Sequence, residues 1–380
     1  MRLLNCFILS FALLPTIVVA EGACARFAGA LELASKLRGL SIKEHTRCVE
    51  VGKPQFTALL SEGFLDEHPP QLLQAEESLL KTIGFISKNF AYADCISSSA
   101  ASAVLAFYKP ELKTVFVPNW TDTSDEILVH EAVHALQDQH FNLAGFRQDG
   151  SSSSDRYLAS AAVAEGDAVY VQEQFRELRG YPIENIQSPI TLPCELPNSL
   201  LRILDFPYDY GRYFFAFMDS QNRLHDRDSL FKQPPGATKQ LLYPRHFQTT
   251  STHPNTPTTN IKKKFENGQL KDTLGEFFIR ALLESSISKE DAILAAKGWV
   301  SDSITFIAKG AQSSLEWKIT WESPQDAAQF HKAWVQHLAT FYQTNLHRDS
   351  PRILFQLSPK NSFTSIVKGS MTLFTADIQE

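Results

Sequence analysis

The chain has 380 residues, 43% hydrophobic and 21% charged, with a formal net charge of −6 at pH 7. That is ordinary globular composition with enough apolar residues for a sizeable core, and the length suits about two domains. The mild acidity, with no basic run beyond Lys262 to Lys264, argues against nucleic acid or an anionic membrane surface as partner.

The first twenty residues, MRLLNCFILSFALLPTIVVA, carry one early Arg, an apolar run, and Val18 and Ala20 at the positions a signal peptidase reads. They read as a secretory signal cut after Ala20. The mature chain is then expected in the periplasm or outside the cell, with no stable membrane insertion. The run is short for a spanning anchor, and Asn5 and Pro15 interrupt it. Glu21 stands where a lipoprotein signal ending at Cys24 needs an aliphatic residue. Cleavage removes Cys6 and leaves Cys24, Cys48, Cys95 and Cys194. Four cysteines in an exported chain suggest two disulfides, with three connectivities open. Cys24 with Cys48 would close a local loop, and Cys95 with Cys194 would join distant segments.

Apolar spacing predicts helices over 26–40 and 71–88. Residues 103–118, AVLAFYKPELKTVFVP, read as a β-hairpin: two β-branched and aromatic runs flank a Lys-Pro-Glu turn. The polar stretches 148–155 and 248–260 read as loops. Helices are expected in DTLGEFFIRALLES, opened by a Thr273–Glu276 capping box, and in SKEDAILAAKGW. After Gly298, SITFIAKG and SLEWKITWE read as strands, followed by a helix with Ser323 as N-cap and two more strand-like runs. The expected organisation is a signal peptide (1–20), an N-terminal region (21–118) whose hairpin joins the catalytic sheet, a mainly helical core (119–299), and a C-terminal α+β subdomain (300–380).

The chemistry is concentrated in HEAVHALQDQH, residues 130–140. Thr123 and Glu126 form the pattern of a capping box ahead of it. On a helix, His130 and His134 project from one face about 40° apart, the spacing two imidazoles need to meet one metal ion. Glu131 adjoins them, so its carboxylate can take a proton from water activated by the metal. The flanking Leu128, Val129, Ala132, Val133, Ala135 and Leu136 suit a buried helix.

The third ligand has two sources. His140 matches the spacing of metzincins, H-E-x-x-H-x-x-G-x-x-H, but their chain-reversing glycine is Gln137 here. Gln continues a helix. His140 then lies about 9 Å further along the axis than His134 and about 120° around it, pointing away from the metal. The other source is Glu165 in AAVAEGDAVYVQEQF, a second helix opened by Ser154 or Asp155, whose small residues permit close approach. A Glu from a second helix some thirty residues on is the gluzincin arrangement. The expected metal ligands are His130, His134 and Glu165, with zinc as the ion. Asp167 and Asp138 are candidates to orient a histidine.

HEAVHALQDQHF, AEGDAVYV, FPYDYGRYF (206–214), PPGATKQLLYPRHF (234–247), TLGEFFIRALL (273–283) and AAKGWVSD (295–302) fall in the same order in a known group. The chain resembles, over roughly residues 95–335, largely uncharacterised exported bacterial gluzincin-type H-E-x-x-H proteins. It departs from them at Ala237 to Gln240, at Tyr243-Pro244 and at Val300 to Asp302. The resemblance implies a zinc peptidase without supplying its substrate. The expected fold class is accordingly α+β: a zincin-like (gluzincin) catalytic core, mainly helical with a small sheet, plus the C-terminal α+β subdomain.

The expected activity is hydrolysis of peptide bonds in a peptide or protein substrate, with Glu131 as general base. A second electrophile is needed for the tetrahedral intermediate. Tyr210 leads, ahead of Tyr208, Arg212 and His246. TVFVP (114–118) is the candidate edge strand for an extended substrate. The alternatives are a catalytically inactive zinc-containing binding or scaffold protein, which would have no use for Glu131, and a zinc amidase acting on a non-peptide amide of the cell wall.

Overall fold

The computed structural model describes residues 22–100, 104–147, 153–181, 194–247, 265–309 and 312–379. The expected signal sequence, the 248–260 loop and residues 148–152 lie outside them. In chain order, α1 (Ala23–Arg38), β1 (Arg47–Val51), α2 (Lys53–Glu67), α3 (Pro70–Thr82), α4 (Tyr92–Ala100), β2 (Phe107–Lys109) and β3 (Thr114–Pro118) come first. A helical segment follows: α5 (Asp125–Phe141), α6 (Leu143–Arg147), α7 (Ser154–Arg179), α8 (Asn198–Ser220), α9 (Arg227–Lys232) and α10 (Thr238–Leu242). The remainder is β4 (Phe265–Glu266), β5 (Gln269–Asp272), α11 (Gly275–Leu283), α12 (Lys289–Ala296), β6 (Trp299–Lys309), β7 (Gln312–Trp321), α13 (Pro324–Phe341), β8 (Arg352–Ser358), β9 (Asn361–Lys368) and β10 (Met371–Gln379). The fold is α+β, with two separate sheets.

The expected hairpin forms. β2 pairs antiparallel with β3 from Lys109 opposite Thr114, across a turn closed by Lys113 at φ 47°. What periodicity did not reveal is β1, which pairs parallel with all of β3, Arg47 opposite Thr114 to Val51 opposite Pro118. TVFVP is therefore the middle strand, buried at all five residues, and not an edge for an extended peptide. A continuous apolar run is what a strand covered on both faces requires.

Both expected capping boxes give way to tertiary partners. The side chain of Ser124, at the N-cap of α5, makes no capping bond. Asp125 is taken by Arg26 of α1, and Glu126 by Arg176 of α7 at 2.5 Å. Before α11, the chain is still extended at Asp272 and turns at Gly275, φ 84°. The exposed amides of Leu274 and Gly275 donate to Asp302 of β6 at 3.0 and 2.9 Å, while Glu276 pairs with Tyr243 and Arg280. By contrast Ser323 caps α13 as expected, accepting from the Asp326 amide.

The C-terminal sheet is fully antiparallel, in the order β4-β5-β6-β7-β10-β9-β8. It reaches back to Phe265, upstream of the expected boundary at 300, because the β4–β5 hairpin adds to β6. Trp317, Trp321, Phe330 and Trp334 fill the space between sheet and α13, in a core that also takes Leu72, Leu79 and Ile83 of the α3 region. A second core joins α1, α5 and the small sheet, and a third joins α7, α8 and α10. Cys24 pairs with Cys48 and Cys95 with Cys194. Among the described residues no helix is long and apolar enough to cross a membrane.

His337 of α13 is fully buried. Its Nε2 donates to the Ile83 carbonyl at 2.9 Å, which leaves Nδ1 to accept from Ser286 Oγ at 2.9 Å. Burial pushes its pKa down to about 4, against the hydrogen bond to Ile83. The unfolded chain, with an ordinary pKa near 6.5, binds a proton that the folded chain refuses. The site's contribution is complete above about pH 6.5 and is lost as pH falls toward 4, by about 3 kcal/mol. Urea unfolding between pH 7 and pH 4.5 should show this loss, and His337→Gln should flatten that part of the pH dependence.

Candidate metal centre

α5 runs unbroken through Gln137 and His140 to Phe141, and the chain turns only at Asn142, φ 56°. His130 and His134 consequently face the same way, toward α7. Glu165 comes from α7, which packs against α5 and, beside Glu165, crosses α8 in near contact at two glycines. A Cβ on Gly166 would sit 2.3 Å from the Gly211 carbonyl carbon, and one on Gly211 would sit 2.2 Å from the Ala162 oxygen.

The three expected ligands come together. His130 Nε2 lies 3.1 Å from His134 Nε2, and the two lie 3.3 and 3.2 Å from Glu165 Oε2. Among the described residues this is the one group of three or more His, Cys, Asp or Glu side chains with metal-ligand geometry. A tetrahedral ion with bonds of about 2.0–2.1 Å sets its ligand atoms about 3.3–3.4 Å apart. The triangle is therefore the size of one face of such a tetrahedron, and all three residues keep some exposure.

The hydrogen bonds behind the triangle fix what these atoms offer. Gln137 Nε2 donates to the Ala164 carbonyl at 3.0 Å and to Asp167 Oδ2 at 3.0 Å. Both partners only accept, so the Gln137 amide cannot be reversed, and its Oε1 must accept from His134 Nδ1, 3.0 Å away. The proton of a neutral His134 then sits on Nδ1, leaving a lone pair at Nε2. Gln172 Oε1 stands 3.1 Å from His130 Nδ1 and does the same there. Two imidazole lone pairs and a carboxylate facing one another are a donor set that suits a cation.

Glu131 is 7% exposed, next to His130 on α5. His140 turns away, with Nε2 2.8 Å from the Ser41 carbonyl. The other expected residues take different places. Asp138 accepts from Tyr108 Oη and the Leu143 amide, and Asp167 from Gln137 and Arg38, so neither orients a histidine directly. Tyr210 is stacked on Phe206 and packed against Phe277, and its hydroxyl bonds to Arg202. None of these contacts joins it to the triangle, because its side of α8 faces α11. Arg212 pairs with Glu173 at 3.1 Å; Tyr208 and His246 are exposed. Sequence reasoning missed Gln137, weighed only as a helix former, and Gln172. Gln172 lies two turns beyond Glu165 on the same face of α7, about 20° away, a signal that was there to be read.

Residues 263–368 match the model of a family described as a domain of unknown function, DUF8575. The match spans β4 to β9, within the C-terminal part, and contains none of the three clustered residues. No curated protein and no solved structure matches the chain.

The glycine crossing gives a direct test. Gly166→Ala should lower stability by about 1–3 kcal/mol through overpacking. Gly29→Ala, on α1 with nothing within 4 Å of the added carbon, should gain about 0.5–1 kcal/mol. Urea unfolding midpoints of the two variants should move in opposite directions.

Proposed function

We propose that this chain is an exported zinc metallopeptidase with a zincin-like core of the gluzincin type, acting in the periplasm or outside the cell. The observation that carries the reading is the triangle of His130 Nε2, His134 Nε2 and Glu165 Oε2, with edges of 3.1–3.3 Å and both imidazole protons committed elsewhere. Two His and one Glu is a donor set of catalytic zinc sites, which keep a fourth position for water or substrate. A zinc ion held there would supply Lewis-acid polarisation of a peptide carbonyl and of water.

Glu131 acts as general base: its carboxylate takes a proton from the attacking water and returns it to the departing amine nitrogen. A structural metal site has no use for an acid in that position, and its burial within α5 keeps it in a poorly solvated, responsive environment. Tyr210, committed to Arg202, Phe206 and Phe277, has no part in this reading. The two disulfides and the absence of a spanning helix among the described residues are compatible with export.

Metal analysis and hydrolysis of a broad peptide library test the reading together. The wild type is expected to hold one equivalent of zinc and to cleave peptides. Glu131→Gln should keep the zinc and lose about 10²–10⁴-fold in turnover. Glu165→Ala should lose the zinc, and His140→Ala should keep it. Zinc retained with no cleavage of any peptide would overturn the peptidase reading in favour of a zinc-containing binding protein, while stoichiometric zinc in Glu165→Ala would overturn the ligand set.

A further inference from the structure

The C-terminal residue of α1 reaches the back of the metal centre. Arg38 is 1% exposed, yet it is a surface-type side chain at a helix end. Its Nε donates to Asp167 Oδ2 at 2.6 Å, and its Nη2 lies 2.8 Å from Asp228 Oδ1. Asp167 has no exposed surface. The same Oδ2 accepts from Gln137 Nε2, and Gln137 Oε1 faces His134 Nδ1. Asp167 Oδ1 has no hydrogen-bond partner; Arg227 Nη1 lies 3.9 Å from it. Asp167 is thus held mainly through the oxygen it shares between Arg38 and Gln137.

A buried ion pair is a poor stabiliser, since desolvation offsets most of its attraction. What it does supply is a fixed position. The planar guanidinium fixes Asp167 Oδ2, that oxygen orients the Gln137 amide, and the amide sets both the tautomer and the ring plane of His134. The opposite end of α1 is anchored independently: Arg26 bonds Asp122, Asp125 and the Thr123 carbonyl at the start of α5, and Cys24 is joined to Cys48.

We infer that Arg38 is a positioning residue of the metal centre, acting on His134 through Asp167 and Gln137, so that the Arg38–Asp167 contact, rather than the docking of α1 as a whole, sets how tightly the metal is held. The inference rests on the zinc-site reading above. It makes the N-terminal helix a working part of the centre although it contributes no ligand. Arg38→Lys is not a conservative change, because an ammonium lacks the planar guanidinium that spans Asp167 and Asp228.

The test is zinc affinity of the full mature chain, measured by competition with a chromogenic chelator, with the absorption spectrum of the cobalt-substituted protein as a readout of ligand geometry. Gln137→Leu should weaken zinc binding by about 10–100-fold. Arg38→Met leaves Asp167 buried without its main cation and can fail to fold, so Arg38→Met is also combined with Asp167→Leu, which removes both charges. The double variant should fold, bind zinc about 10–100-fold more weakly, and show an altered cobalt spectrum. Arg26→Met, which loosens the other end of α1, should leave affinity and spectrum unchanged. A folded double variant with wild-type affinity and spectrum overturns the inference while leaving the zinc site standing. Equal losses in Arg26→Met and the double variant overturn it too, since they would reduce Arg38 to general support of α1. A wild type that binds no zinc overturns both the inference and the reading beneath it.

Discussion

Glu165 can meet His130 and His134 only because α7 is buried on opposite sides. Ala168, Val171 and Phe175 pack into the core shared with α1, α5 and the small sheet; Ala159, Ala162, Val163 and Tyr170 pack into the core shared with α8 and α10. A helix so enclosed has no broad solvated face, so each buried polar group on it needs a specific partner. Glu165 has the two imidazoles, Asp167 has Arg38 and Gln137, Gln172 has His130, and Asp155 has the amide and hydroxyl of Thr238. The enclosure that holds the three side chains together is the same one that makes the bonds supporting them obligatory. The Gly166–Gly211 crossing holds α7 close to α8, since any side chain there would push the two helices apart.

The His130–His134–Glu165 cluster was legible in the sequence because it obeys one rule, the 3.6-residue period, within and between two helices. His130 and His134 are four apart, and the small residues around Glu165 announce close packing. The supports were less legible. Gln137 entered the sequence argument only through its helix propensity, and nothing local reveals that its amide is clamped by Ala164 and Asp167 from another helix. Nothing local marks Arg38, at the end of α1, as the partner of an aspartate 129 residues further on. α8 escaped notice because Pro207 and Gly211 look like breakers; the proline is buried within the helix and the glycine is needed for the crossing. β1 is five residues long and pairs with a strand more than sixty residues away, so only the tertiary fold defines it.

The failed capping boxes make a related point about competition. The side chains that would close them locally, Glu126 and Glu276, found stronger partners in Arg176 and in the Arg280–Tyr243 pair. Charge-assisted bonds of that kind outcompete a neutral amide of the same chain. At α11 the orphan amides were then left to Asp302, which also accepts from the indoles of Trp299 and Trp317. One buried carboxylate thus joins the start of a helix to two strands of the C-terminal sheet.

The choice of third ligand and the choice of histidine support are coupled. Were the chain to reverse direction after His134, a glycine would have to stand at position 137, and no amide would be available to hold His134 Nδ1. Because the helix continues, Gln137 falls three residues after His134, close enough to bond it, and His140 is carried round to the Ser41 carbonyl. The third member of the cluster is then a carboxylate from α7. The two acids of α7 divide the work by their angle, about 160° apart around the helix. Glu165 faces the imidazole Nε2 atoms, and Asp167 faces the Gln137 amide from behind. Asp167 could not take the place of Glu165 beside the imidazoles without giving up that amide, which is why two acids two residues apart serve one cluster without competing for it.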